Sequence, residues 1–143
     1  MSTKDPTGFS AAERQAMKGR AEELRAEKGG QKKADALQSL LEKIEQMSEG
    51  DRVIAVALHQ IVSEVAPDLI ARTWYGMQAY EKDGGVLVFL QDSGKFGTRY
   101  CTLGFNDNAA LDDGDMWPTT FAIPVLTDDV KMRITELVRR AVG

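Results

Sequence analysis

The spacing of apolar residues changes period once, near Met77, and changes back once, near Thr127. Before Met77 the apolar side chains recur at helical intervals. Leu37, Leu40, Leu41, Ile44 and Met47 form one such set, and Ile54, Leu58, Ile61, Val62 and Val65 form the next. Both follow the i, i+3, i+4, i+7 rule of an amphipathic helix. After Met77 the texture is β-like: Tyr80, then Val86-Leu87-Val88-Phe89-Leu90, then residues 99–105 with Cys101, Leu103 and Phe105 on one face and Tyr100 and Thr102 on the other. Phe121, Ile123 and Val125 alternate in a fourth segment, Thr119–Val125. Beyond Thr127, Val130, Ile134, Leu137, Val138 and Ala141 restore the helical stripe. Helices and strands held in separate blocks predict an α+β fold. The simplest version is an antiparallel four-stranded sheet with helices packed on one face, plus an N-terminal helical extension.

Local signals set the expected boundaries. Ser10 caps a first helix, with Glu13 completing a capping box and Phe9 as its hydrophobic staple. Its stripe is thin (Met17, Ala21, Leu24), and Gly29-Gly30 is expected to break it near Lys28. A second helix then covers about 33–47. Residues 1–47 therefore read as a charged helical extension, open to folding as a helical hairpin, and 48–143 as the α+β domain. The third helix starts after Ser48-Glu49-Gly50-Asp51 and stops at Pro67. Ile70–Trp74 reads as helical. Asp83-Gly84 is a hairpin turn signal, Asp92–Gly97 is another turn, and Pro124 places the fourth strand at an edge or marks its end. Thr127 caps the last helix, Asp128 and Asp129 complement its dipole, and Arg139 and Arg140 suit its last turn.

Charge and cysteine content narrow the functional classes. With 143 residues the chain fits one domain able to bury a core without staples. The net charge is −4, from 18 basic and 22 acidic residues. That argues against a nucleic-acid binder that neutralises many phosphates. Residues 1–47 are nearly neutral, so the remainder carries the acidity. Cys101 is the single cysteine, which excludes an internal disulfide and a thiolate zinc site within one chain. It reads as a small buried hydrophobe in a strand. The N-terminus lacks an apolar signal core, and no stretch approaches the ~18 apolar residues of a membrane span. A cytoplasmic protein is the expectation.

One segment carries a family resemblance. Trp74-Tyr75-Gly76-Met77-Gln78-Ala79-Tyr80, with the hairpin after it, the Lys95 loop and the Leu103-Gly104-Phe105 strand, resembles the YdhG-like domain family. The resemblance covers about Glu49 to Ala141 and leaves the N-terminal helices outside. Gln78 departs from the pattern, standing where the family has proline. Members of the family are largely without assigned function. One branch is described as a frataxin-like intracellular iron chaperone, so the resemblance implies iron, weakly bound, as a conceivable cargo.

Four groups of residues are candidates for function. Asp107, Asp112, Asp113 and Asp115 sit on a Gly-containing loop and could offer oxygen ligands to a hard cation, although the EF-hand spacing fails at Leu111. Asp and Gly are also ordinary turn residues. Trp74, Tyr75, Tyr80, Tyr100 and Trp117 could wall a ligand pocket on the sheet's open face, with Lys95 or Arg99 holding an anion. The same rings could equally pack the helix–sheet junction. His59, the one histidine, reads as a satisfied structural residue, and neither a nucleophile elbow nor a full phosphate loop is present. Finally, the N-terminal helices could bind a protein partner or a second copy. The leading expectation is a binding domain without catalysis, handling iron or a small ligand. The rivals are an interaction module built on the N-terminal helices and an enzyme with an aromatic pocket.

Overall fold

The computed structural model describes the backbone of residues 11–143 and the side chains of residues 29–143. The cap, staple and stripe expected at Phe9, Ser10, Glu13, Met17, Ala21 and Leu24 lie outside the described side chains. Two units are distinguished, Met1–Asp35 and Ala36–Gly143.

Helix α1 (Ala11–Gln46) runs through Gly29 and Gly30 without the expected break. A helical glycine costs only about 1 kcal/mol relative to alanine, and strong helix formers flank this pair. Spaced side-chain bonds reinforce the helix beyond it, Gln31 to Asp35 (2.8 Å) and Gln38 to Glu42 (3.3 Å). Helix α2 (Glu49–Val65) opens at Ser48, with Glu49 and Asp51 in its first turn. Arg52 donates to the carbonyls of Glu45 (3.2 Å) and Met47 (2.8 Å), satisfying the end of α1 from the start of α2.

The sheet has five strands, one more than expected: β1 (Ile70–Trp74), β2 (Met77–Lys82), β3 (Gly85–Gln91), β4 (Cys101–Phe105) and β5 (Thr120–Ile123). They form an antiparallel meander in the order β1-β2-β3-β4-β5. The added strand is the segment read as helical. Its β-branched Ile70 and Thr73 and its Trp74 suit a pleated surface. A two-residue turn, Tyr75-Gly76, folds it onto β2 with Trp74 opposite Met77. Both turn residues have positive φ (49° and 74°), as do Asp83 and Gly84 (51° and 85°) in the expected β2–β3 hairpin. Positive φ at both central positions is the type I′ geometry, whose twist matches that of the strands. Between β3 and β4 a short helix α3 (Ser93–Phe96) ends on left-handed Gly97 (φ 68°). β5 is an edge strand, and Pro124 follows it directly. Val125, expected within the alternation, is 61% exposed beyond the strand's end.

Helix α4 (Asp128–Val142) is capped as expected, the Thr127 hydroxyl accepting from the Val130 amide at 3.1 Å. One core joins Leu40, Ile44 and Met47 of α1, the Ile54-Leu58-Ile61-Val62 stripe of α2, and Ile134, Val138 and Ala141 of α4 to the sheet. The sheet contributes Tyr80, Val88, Leu90, Cys101, Leu103, Phe105 and Ile123. Leu37 and Leu41, although at helical spacing with Leu40 and Ile44, are 37% and 36% exposed. A register shift between Tyr80 and Glu81 leaves Leu87 without a partner on β2, and Leu87 is wholly buried. The loop after β4 is anchored by buried Ala109 and Leu111 and by the Ala110 amide on the Ala141 carbonyl (2.9 Å). No described helix is long and apolar enough to cross a membrane.

Candidate functional site

Strand register sorts the aromatic residues onto two faces. Trp74 lies opposite Met77, Arg72 opposite Ala79, Ala79 opposite Phe89, and Phe89 opposite Gly104. These residues share one face. Gln78, Tyr80, Val88, Leu90 and Leu103 share the other, which carries the helices. On the open face the Trp74 ring packs edge-on against Tyr75 (centroids 5.0 Å apart, 67° between planes) and tilted against Phe89 (5.4 Å). A β-carbon at Gly104 would collide with the Phe89 ring, so this glycine is what lets the ring lie on the sheet. Arg72 pairs with Glu81 on the same hairpin.

Tyr75 is the unusual member. It is 80% exposed, and it holds a left-handed conformation that costs a side chain with a β-carbon about 1–2 kcal/mol. Asn or Gly would serve this turn better. Next to it, Gly76 leaves room for Lys95: a β-carbon there would overlap the Lys95 ammonium, which approaches the Gly76 carbonyl at 3.4 Å.

Lys95 is placed by Asp51. This carboxylate, 5% exposed at the start of α2, accepts from the Ser93 hydroxyl (2.6 Å), the Gly94 amide (2.9 Å) and the Cys101 thiol (3.2 Å). Burial by itself would raise its pKa. The hydrogen bonds from Ser93, Gly94, Cys101 and Ser48 together outweigh burial and hold the acid below its ordinary range. The network fixes the first turn of α3 and therefore the root of Lys95. It also keeps Cys101 a thiol: burial, reinforced by Asp51, pushes it up to about 11. Beside it, Lys43 sits 3.4 Å from Oδ1 of buried Asp92. That oxygen accepts no hydrogen bond among the described residues, so the pairing is coulombic. Lys43, Asp51, Asp92, Gly94 and Lys95 are among the residues lining a cleft of about 390 Å³ here.

The other expected pocket residues lie elsewhere. Tyr80 is 1% exposed, on the helix face. Its hydroxyl accepts from Gln78 Nε2 (2.9 Å) and lies 2.8 Å from His59 Nδ1. Burial lowers the His59 pKa and raises that of Tyr80. Gln78 Nε2 also donates to the Ala55 carbonyl at 3.0 Å, tying β2 to α2. A proline at this position could make neither bond. Trp117 packs half-buried against the core from the β4–β5 loop. Arg99 lies over the Tyr100 ring (5.2 Å) just before β4. The expected single pocket thus becomes a cluster of Trp74, Tyr75 and Lys95, a separate Arg99–Tyr100 pair, and two aromatics, Tyr80 and Trp117, on the helix side. Phe89 is the member that sequence reasoning passed over, and its phase in the strand, between inward Val88 and Leu90, was the available signal.

Asp107, Asp112, Asp113 and Asp115 are exposed. Among the described residues no three or more His, Cys, Asp or Glu side chains converge on a position for a metal ion. Leu111, which interrupts the EF-hand spacing, is a core anchor. Comparisons with protein-family models, curated proteins and solved structures returned no match.

Proposed function

We propose that this chain is a binding domain of the YdhG-like type that takes a small ligand on the open face of its sheet, at the Trp74–Tyr75 turn. The observation that carries the reading is Tyr75: an aromatic ring displayed to solvent from a strained turn position, braced by Trp74, which Phe89 backs in turn, and followed by Gly76, where Lys95 lies. Strain and exposure at one residue mark a feature kept for something other than folding. Three polar groups that could serve catalysis are, by contrast, engaged within the fold. Asp51 holds α3, the Cys101 thiol serves Asp51, and His59 serves Tyr80. This supports binding over catalysis. A thermal-shift panel of small aromatic compounds tests it: some compounds raise the melting temperature of the wild type and not of a Trp74→Leu variant. A panel that leaves the wild type unmoved counts against the reading.

The iron cargo implied by the resemblance would have to draw on Asp107, Asp112, Asp113 and Asp115. Anaerobic ferrous titration with magnesium and zinc controls decides it. Saturable, iron-selective binding abolished by joint Asp→Asn change at 112, 113 and 115 would restore iron above the aromatic reading.

A second reading, an interaction surface, is favoured by Leu37 and Leu41 of α1 and by Val53 and Val56 of α2 (48% and 40% exposed). Sedimentation at high concentration tests self-association. A monomer there, unchanged by Leu37→Glu with Leu41→Glu, would remove it.

A further inference from the structure

Lys95 has little to do in the protein alone. Among the described residues it forms no ion pair. Its ammonium makes one long bond to the Gly76 carbonyl (3.4 Å) and stands 5.8 Å from the Phe96 ring centroid, although an ammonium carries three donors. Arg99 also lacks a carboxylate partner there and rests on Tyr100. The pairs Gln78–Leu90 and Gln91–Thr102 bring the starts of β2 and β4 and the end of β3 to the same end of the sheet. Lys95 and Arg99 therefore stand at the end where Trp74 and Tyr75 turn. The acids of that region, Asp51 and Asp92, are buried and occupied, the first by three donors and the second by Lys43. Lys95 and Arg99 are thus exposed cations without a carboxylate partner among the described residues, in a chain whose net charge is −4. The backbone that carries Lys95 is also held in advance, because Asp51 fixes Ser93 and Gly94 and left-handed Gly97 closes the short helix.

We infer that the Tyr75 turn takes a planar aromatic anion, its ring stacked on the Trp74–Tyr75–Phe89 cluster and its carboxylate or phosphate set against the Lys95 ammonium. The inference rests on the ligand-binding reading above and names the ligand's chemistry. Flat faces suit the ring, because aromatic stacking tolerates any π-system. The Lys95 ammonium, unpaired among the described residues, selects the charge.

Calorimetry on the full chain tests it with two aromatic anions, adenosine 5′-monophosphate and 1-naphthoate. Each is compared with its neutral counterpart, adenosine and 1-naphthamide, and inorganic phosphate is run alone. The anion is expected to bind roughly threefold to fivefold more tightly than its counterpart, the range of one exposed charge pair. Lys95→Gln erases that preference and leaves the neutral compound unchanged. Tyr75→Asn, which keeps the turn, weakens anion and neutral compound alike by about tenfold. A response confined to the nucleotide or to the naphthoate supports the inference and names the anionic group. Equal binding of anion and neutral compound, or a preference that survives Lys95→Gln, overturns the inference while leaving an aromatic-binding site in place. Phosphate binding as tightly as the nucleotide overturns the stacked ring. Silence from every probe, in protein shown folded by circular dichroism, overturns both the inference and the reading beneath it.

Discussion

Replacing Tyr75 by Asn should make the protein more stable. Tyr75 sits at the first central position of a type I′ turn with φ 49°, followed by Gly76 at φ 74°. Asn-Gly is the favoured pair for that geometry. Relief of the left-handed conformation is worth about 1–2 kcal/mol. Against this stands the loss of the edge-on contact with Trp74, about 0.5–1.5 kcal/mol for a buried aromatic pair. Tyr75 is 80% exposed, so the lower end of that range applies. The balance is a gain of about 0.5–1.5 kcal/mol, or about 2–5 °C in melting temperature for a domain of this size. Urea unfolding followed by circular dichroism, with wild type and variant compared at equal slope, measures it. A loss of ~1 kcal/mol or more would refute the reasoning, because the Tyr75 ring would then be a structural element of the hairpin and not a group displayed at a cost. A gain in stability together with loss of aromatic binding is the trade expected of a functional residue.

Gly104→Ala drives a β-carbon into the Phe89 ring and should destabilise the protein by about 1–3 kcal/mol, the usual cost of overpacking. An unfolding curve indistinguishable from wild type would show that Phe89 moves aside freely. His59 makes stability fall in mild acid. Its folded-state pKa is lowered by burial, so below the ordinary value of 6.5 the unfolded chain binds more protons than the folded one. Stability from this residue is complete above pH 6.5 and is lost as the pH falls from there through the lower folded-state value. The Asp51 contribution, with its pKa depressed from 3.8, is lost only in stronger acid. Midpoints measured from pH 7.5 to 4.5 check the first window, and a His59→Gln variant with the same slope as wild type would contradict it.

Much of the fold is legible in the sequence because its signals are local. The α2 and α4 stripes, the Thr127 cap, the Asp83-Gly84 turn and the edge marked by Pro124 each rest on residues a few positions apart. β1 is misread for a related reason. Its turn uses tyrosine where asparagine, aspartate or glycine is the recognisable signal, so a strand leading into Tyr75-Gly76 looks like the tail of the preceding helix. Gly29-Gly30 misleads in the opposite direction, since two glycines weaken a long helix without ending it. The site is less legible than the fold. Trp74, Tyr75 and Lys95 stand out by residue type, but Tyr80 joins them only if alternation is ignored, because it falls on the opposite face. Asp51 escapes notice altogether: its partners Ser93, Gly94 and Cys101 lie 42, 43 and 50 residues away, and no local pattern links them.

The two tryptophans give the most direct test of the central claim. Trp74 lies on the open face, and Trp117 packs with the helix-side core. In a ¹⁵N-labelled full chain their indole N–H signals can be told apart with a Trp117→Phe variant. Titration with a small aromatic anion should move the Trp74 signal progressively to saturation and leave Trp117 in place. A Trp74 signal that stays fixed while Trp117 moves, or that stays fixed throughout, would contradict a ligand site on the open face of the sheet.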